Sequence, residues 1–259
     1  MFYKFIYYLG KLFTEKIFTY LQALNVLYSV IPSFLTFKIF NRAVFRVFVR
    51  QLYFTTVESL SIVFAAALIV GGVVVNYILE LLISLNSYGR IGEFIVTSVF
   101  YELSPLIVTI IMLVRSSTAV ISELSVMRFH GEIDTLFFFD ISIEDYVYLP
   151  RILAFFISSI VLNFYFIIVS LIGGYLFLGF FHEINYENYI YQIVNFLSFS
   201  DIFFTFLKSG IFGLILISIS IQKGMSVSRS ITEIPINLIN GMMSIIIAIL
   251  IVDSLFYLL

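Results

Sequence analysis

Apolar residues occur along the chain in long blocks that short polar clusters separate. Five of these blocks reach the roughly 20 residues that an α-helix needs to cross about 30 Å of hydrocarbon. Arg, Lys, Asp or Glu residues bound each block, as expected where a helix leaves the hydrocarbon. The pattern therefore predicts five membrane-spanning helices, over residues 57–82, 94–114, 152–181, 202–222 and 234–259.

A sixth apolar block, over residues 17–37, needs a separate decision because it contains Gln22, Asn25 and Pro32. If this block crossed the membrane, the three lysines before it would lie opposite the four basic residues between 38 and 50. A helix in the headgroup plane would keep all seven cations on one side, with lysine side chains reaching the phosphates. We therefore predict an N-terminal interfacial amphipathic helix, with a further span as the open alternative.

The distribution of basic residues orients the predicted spans. With a cytoplasmic N-terminus and five spans, all but two of the 14 Lys and Arg residues fall on the cytoplasmic side. The exceptions are Arg90, in the first outer loop, and Lys208, within the fourth span. This bias follows the positive-inside rule and places the C-terminus, at Leu259, in the periplasm. We expect a multi-pass protein of the cell inner membrane.

Composition supports the membrane assignment and excludes several classes of function. The chain is 61% hydrophobic and 12% charged, with a mean hydropathy of +1.10, which is too apolar for a soluble domain. The net charge is −2 without a basic face, which excludes nucleic acid as a partner. The absence of cysteine excludes disulfides and thiolate sites, and His130 and His182 cannot form a zinc site alone.

The predicted fold class is an all-α integral membrane protein. An interfacial helical region over residues 1–50 precedes a transmembrane domain over residues 51–259. Between the second and third predicted spans, the polar segment over residues 115–151 faces the cytoplasm in this topology.

The most informative part of the sequence is this polar segment together with the span before it. Five short elements occur there in order: Tyr101-Glu-Leu-Ser-Pro-Leu-Ile-Val-Thr109, Val114-Arg-Ser-Ser-Thr-Ala119, Ser122-Glu-Leu-Ser-Val-Met-Arg128, Gly131-Glu-Ile-Asp-Thr-Leu136 and Leu149-Pro-Arg-Ile-Leu-Ala154. They resemble the MlaE family of permeases, whose pattern is E-L-G-P, G-R-x-G-S/A-A, A-E-L-G-x-M, E-x-I-D-A-L and V-P-R-x-L-A at matching spacing. The resemblance covers about residues 40–259, although Ser104 and Ser125 replace family glycines. Serine is still small enough for close helix contacts.

The resemblance implies a homodimeric permease that moves phospholipid or a related lipid between the inner membrane and the outer envelope. It also implies a cytoplasmic ABC ATPase, a periplasmic MCE-domain protein and a small STAS-type cytoplasmic subunit as partners. No cofactor is expected on this chain, because it contains no P-loop, so ATP and Mg²⁺ would bind to the ATPase. The motif residues expected to be structural are Pro105, Arg115, Glu123, Pro150, Arg151 and Asp253.

The fourth sequence element resembles the cytoplasmic coupling helix of the family. A short helix through residues 131–136 would place Ile133 and Leu136 on one face, with Glu132 and Asp134 beside them. We expect the apolar pair to hold the ATPase by contact and the two carboxylates to orient it.

Two charged residues, Glu102 and Lys208, fall well inside predicted spans. A charged side chain in hydrocarbon is costly and is normally paired or faces a wet cavity. The two residues lie at similar predicted depth, which makes them candidates for an ion pair on the lipid pathway. A purely structural salt bridge is the alternative interpretation.

Two other functional classes stay open. An ion-coupled secondary transporter places ionisable residues near the midplane, where Glu102, Lys208 and Asp253 are candidates. An intramembrane lipid-modifying enzyme needs clustered side chains at the membrane face, for which the candidates are His130, Glu132 and Asp134. The spacing of these three residues matches no metal motif, so we predict no catalytic or metal site.

Overall fold

The computed structural model describes residues 2–85, 90–181, 186–227 and 230–258. Expectations for His182, Arg229 and Leu259 lie outside these residues. Within the described part of the chain, helices joined by short turns make up the secondary structure and no strand occurs. The predicted all-α fold class is confirmed.

The helices follow the apolar blocks of the sequence. In chain order the α-helices of the described residues are α1 (Phe2–Leu35), α2 (Arg42–Thr56), α3 (Leu60–Ser84), α4 (Ile91–Ile95), α5 (Ser104–Met112), α6 (Thr118–Phe129), α7 (Glu132–Phe138), α8 (Leu149–Phe181), α9 (Tyr186–Phe196), α10 (Phe199–Met225) and α11 (Glu233–Leu258). Two π-helical segments, Val96–Leu103 and Leu113–Ser117, lie between α4 and α5 and between α5 and α6. A third π-helical segment, Glu144–Tyr148, leads into α8.

Six helical stretches of the described residues are long and apolar enough to cross a membrane. Five of them overlap the five predicted spans: Arg42–Leu82, Ile91–Phe129, Glu144–Leu176, Phe199–Met225 and Glu233–Leu258. The sixth is Ile17–Leu35, near the N-terminus. The chain is therefore a multi-pass membrane protein, and the placement of α1 depends on its contacts rather than on its composition.

Polar contacts near both ends of the apolar block over residues 17–37 bear on the placement of α1. Near its start, Lys223 Nζ donates a hydrogen bond to Thr19 Oγ1 over 3.4 Å. Just beyond its end, Lys38 Nζ donates to Asp145 Oδ2 over 2.6 Å. Lys223 lies in the last turn of α10 and Asp145 precedes α8, and the predicted topology places both on the cytoplasmic side. In that topology the two ends of the block meet the same side, as expected of an interfacial helix, and the interfacial placement stays a prediction.

The chain divides into two compact units. The first comprises Met1–Phe54, Leu113–Phe156 and Leu214–Leu259, and the second comprises Thr55–Met112 and Ile157–Gly213. The domain boundary predicted between residues 50 and 51 stays a prediction.

In the second unit, α3 and α8 approach so closely that no side chain fits between them. A Cβ atom on Gly71 would lie 2.0 Å from the backbone oxygen of Ser170, and one on Gly173 would lie 3.0 Å from that of Leu68. Small residues at such a crossing allow the dispersion contacts that associate helices in lipid. The adjoining core of this unit includes Val75, Ile91, Val99, Ile167 and Tyr189, from α3 to α9.

In the first unit, small polar side chains lie between α6 and the C-terminal half of α10. Ser117 and Ser220 are fully buried and their hydroxyl groups form a hydrogen bond. One turn further along α10, a Cβ on Gly224 would lie 2.7 Å from Cβ of Leu124. Buried hydroxyls satisfied in this way fix the register of the two helices.

We predict that Gly71→Ala destabilises the protein, because the added methyl group would meet backbone that cannot rotate away. Overpacking of this kind costs about 1–3 kcal/mol or more. The thermal unfolding midpoint in detergent measures the effect. Ala65→Val is the matched control, because it adds more volume to an exposed position of the same helix. Equal midpoints for the two variants would contradict the close approach of α3 to α8.

Candidate functional site

The candidate site of the second unit is built around an ion pair between Lys208 and Glu102. Lys208 Nζ lies 3.2 Å from Glu102 Oε2, and it also donates a hydrogen bond to the backbone oxygen of Tyr101 over 3.1 Å. The ring centroid of Phe212, one turn along α10, lies 6.0 Å from the same nitrogen. The ammonium group thus has a carboxylate, a carbonyl dipole and an aromatic ring around it.

Pro105 explains why the Tyr101 carbonyl is free to accept this bond. Proline has no N–H, and in a helix its ring displaces the carbonyl four residues earlier, which here belongs to Tyr101. The backbone around Glu102 is π-helical and returns to α-helix at Ser104. A π-helical turn followed by proline therefore aims one carboxylate and one backbone oxygen at Lys208.

The two partners of the ion pair differ in exposure. The side chain of Lys208 is 5% exposed, whereas that of Glu102 is 36% exposed. A buried ammonium without its partner is costly, so Glu102 stabilises Lys208. The exposed part of the carboxylate remains accessible to a ligand on this unit.

A second ion pair joins two of the sequence elements within the first unit. Arg151 Nη2 donates to Glu123 Oε1 over 2.9 Å, and Nη1 donates to the backbone oxygen of Val147 over 2.9 Å. Arg151 is buried, and Pro150 before it lies where the π-helical segment Glu144–Tyr148 passes into α8. The resemblance marked these residues as structural, and the ion pair gives that role a physical basis.

Arg115 and Asp253 also belong to the first unit. Arg115 Nη1 donates to the backbone oxygen of Phe54 over 2.8 Å, and its guanidinium group lies 5.1 Å from the centre of the Phe54 ring. Asp253 is half-buried in the last two turns of α11. The structure therefore gives Arg115 a defined helix contact between α2 and the second π-helical segment.

A short helix, α7, occupies the position of the predicted coupling helix. Gly131 precedes it with φ of +74°, a conformation that favours glycine. Glu132 and Asp134 are exposed, and Asp134 Oδ1 accepts a hydrogen bond from Arg128 Nη1 over 2.8 Å. The two carboxylates expected to orient a partner thus lie on the surface.

The apolar part of that prediction needs a correction. Ile133 is 1% exposed, so it packs inside the chain and is not presented to a partner, while Leu136 is half-buried. The exposed apolar side chains come directly afterwards, at Phe137, Phe138 and Phe139, which are 76%, 84% and 72% exposed. A short amphipathic helix buries one face against its own protein. The spacing of Ile133 and Leu136 places them on one face but does not show whether that face points inward or outward.

His130, Glu132 and Asp134 do not form a group that could hold a metal ion. Among the described residues, no three His, Asp or Glu side chains come close enough together to hold a metal ion. His130 instead lies against the ring of Phe129, with 5.5 Å between the ring centres.

Comparison with known protein families decides the identity of the chain. The family model described as Permease MlaE matches residues 48–259. The chain belongs to the MlaE family of permeases. The resemblance inferred from the five sequence elements is confirmed.

Relatives of this MlaE-family permease carry a consistent description. A "probable ABC transporter permease protein" of Synechocystis sp. is 25% identical over 169 residues, which cover 65% of this chain and 64% of the relative. Proteins with the same description from Rickettsia felis and Pyropia yezoensis are 25% and 27% identical, over 68% and 69% of this chain and 68% of each relative. The aligned part therefore spans about two thirds of these relatives, slightly less for the first. The permease assignment is thereby supported along most of the chain.

Sequence reasoning found Glu102 and Lys208 but missed two features of the site. One is the Tyr101 carbonyl, whose signal was Pro105 four residues later. The other is the exposed Phe137–Phe139 triplet, which stands out as three consecutive aromatic residues in a polar segment.

We predict that reversing either charge of the pair, by Glu102→Lys or Lys208→Glu, lowers the stability of the permease by about 3–5 kcal/mol, because each leaves an uncompensated buried charge. The double reversal restores only part of this loss, since the Tyr101 carbonyl then faces a carboxylate. Unfolding midpoints of the three variants in detergent measure the coupling.

The control for this cycle is the exposed pair Arg90 and Glu93, with 3.6 Å between Nε and Oε2. Reversal of either residue there costs less than about 1 kcal/mol. Purely additive losses at Glu102 and Lys208 would show that the two charges do not stabilise each other.

Proposed function

We propose that this MlaE-family permease is the membrane subunit of an ABC transporter that moves phospholipid or a related lipid between the inner membrane and the outer envelope. The observation that carries the proposal is the Lys208–Glu102 pair within apolar helices. The ion pair has no net charge, and the exposed part of the Glu102 carboxylate is a polar group among apolar side chains. This combination suits an amphiphile, which offers both a polar headgroup and apolar chains, better than a bare ion.

Apolar grooves along α1 support a lipid as the ligand. In the first unit, a groove of about 270 Å³ lies between Tyr20, Leu24 and the helices α10 and α11. A neighbouring groove of about 320 Å³ is lined by Leu27, Phe34 and Leu153. Walls that are almost wholly apolar favour acyl chains over water or ions.

The proposed assembly is a homodimer of this chain with a cytoplasmic ABC ATPase, a periplasmic MCE-domain protein and a small STAS-type subunit. ATP and Mg²⁺ bind to the ATPase, and this permease performs no chemistry of its own. The N-terminus lies in the cytoplasm and the C-terminus in the periplasm, which keeps most Lys and Arg residues on the cytoplasmic side.

The surface of α7 is the proposed contact with the ATPase. Its exposed carboxylates, Glu132 and Asp134, orient the partner, and the exposed Phe137–Phe139 triplet supplies the apolar contact that Ile133 does not provide. Exposed aromatic side chains beside charged residues are typical of binding surfaces.

Transport is tested by reconstituting the permease with its ATPase and MCE-domain protein in liposomes that contain a fluorescent phospholipid. We expect ATP-dependent transfer of the lipid to the MCE-domain protein, and slower transfer after Glu102→Gln, because the amide carries no charge to neutralise Lys208. Glu93→Gln, at an exposed position nine residues earlier in the chain, is the matched control. ATP hydrolysis that drives ion flux without lipid transfer would contradict the proposal.

The contact with the ATPase is tested by the double variant Glu132→Lys and Asp134→Lys. We expect normal insertion, because the lost Arg128–Asp134 pair is exposed and contributes less than about 1 kcal/mol. Binding of the ATPase, measured by co-purification, should fall because complementary charge at the interface is reversed. The same change of charge at Glu93 and Glu187 is the control. Unchanged ATPase binding and transport in the α7 variant would refute the coupling role.

A further inference from the structure

A polar cavity of about 460 Å³ lies within the first unit, apart from the Lys208–Glu102 pair. Its walls come from α2, from α6 and from the start of α8 with the turn before it. Arg50, Gln51, Glu123, Tyr146 and Arg151 provide the polar side chains, among Val47, Phe54, Val120 and Met127. The volume falls in the range of small-molecule sites, about 300–1,000 Å³.

Arg151 has unused hydrogen-bonding capacity at this cavity. Two of its N–H groups are satisfied, by Glu123 and by the Val147 carbonyl. Its Nε is buried and has no hydrogen-bond acceptor among the residues that the structure describes. Arginine offers five N–H donors and stays charged, so Arg151, which lines the cavity, has donors beyond the two bonds that it makes.

The remaining polar groups also favour an anion. Arg50 is an exposed cation at the rim, and the Gln51 amide and the Tyr146 hydroxyl are further donors. The only lining carboxylate is Glu123, and it already accepts a bond from Arg151. The lining therefore carries one more positive than negative charge and has more donors than acceptors.

We propose that this cavity binds an anionic phosphate group, held by Arg151 and Arg50. Planar guanidinium groups match phosphate oxygens in geometry and charge. The apolar wall formed by Phe54, Val120 and Met127 leaves room for the carbon atoms next to the phosphate, as in a phospholipid headgroup. This inference goes beyond the proposed function, because such a site binds its ligand whether or not that ligand is the transported lipid.

Binding is measured on the purified full-length permease by native mass spectrometry, with phosphatidylglycerol as one probe and inorganic phosphate as the other. Arg50→Gln should weaken binding of the responding probe about tenfold, which corresponds to the loss of one charge-assisted hydrogen bond. Arg46→Gln, an exposed arginine one turn earlier on α2 that does not line the cavity, is the matched control. Arg151 is left unchanged in this test, because replacement of a buried, paired arginine would also affect folding.

A second variant changes binding in the opposite direction. Glu123→Gln keeps an oxygen for Arg151 but removes the negative charge from the cavity, so it should tighten binding of the same probe. A lipid response that excess inorganic phosphate does not displace identifies the headgroup as the source, and displacement identifies the free anion. Equal binding of both probes by the unchanged protein, Arg50→Gln and Arg46→Gln would overturn the proposal, as would no binding at all.

Discussion

A helix in hydrocarbon must satisfy its polar groups inside the protein, because lipid offers neither hydrogen bonds nor solvation. The permease applies this rule with few components. Lys208 receives a carboxylate and a backbone oxygen, Arg115 receives the carbonyl of Phe54, and the buried hydroxyl groups of Ser117 and Ser220 bond each other. Each of these contacts joins two helical segments. The same contact therefore satisfies a polar group and holds the two segments together.

The sequence elements that characterise the family therefore also supply residues that contact one another in the fold. Glu123 and Arg151 belong to different elements, 28 residues apart, and meet at 2.9 Å within the first unit. Glu102, Tyr101 and Pro105 belong to one element, and all three act on Lys208, which is more than 100 residues further along the chain. Short motifs that appear unrelated in the sequence are thus the two halves of single interactions.

The number and approximate bounds of the long apolar helices could be predicted from the sequence, because their length and hydropathy identify them and charged clusters mark their ends. The pairing of Glu102 with Lys208 followed from predicted depth, because two opposite charges in hydrocarbon have few alternatives. The direction in which Ile133 points did not follow, since a helix of seven residues has apolar positions on more than one side. Nor did the contact of Lys208 with a backbone oxygen, because Pro105 indicates that the Tyr101 carbonyl is released but not which side chain that carbonyl meets.

The released carbonyl of Tyr101 changes how far Lys208 depends on Glu102. A buried lysine whose only partner is a carboxylate would lose all its stabilising contacts if that carboxylate moved away. Here the backbone oxygen of Tyr101 and the Phe212 ring also lie beside the ammonium group, and neither contact is made by the Glu102 side chain. Glu102 is therefore not the only group that stabilises Lys208, and Pro105, which carries no charge and has no N–H to donate, is the residue that leaves the Tyr101 carbonyl available for this contact.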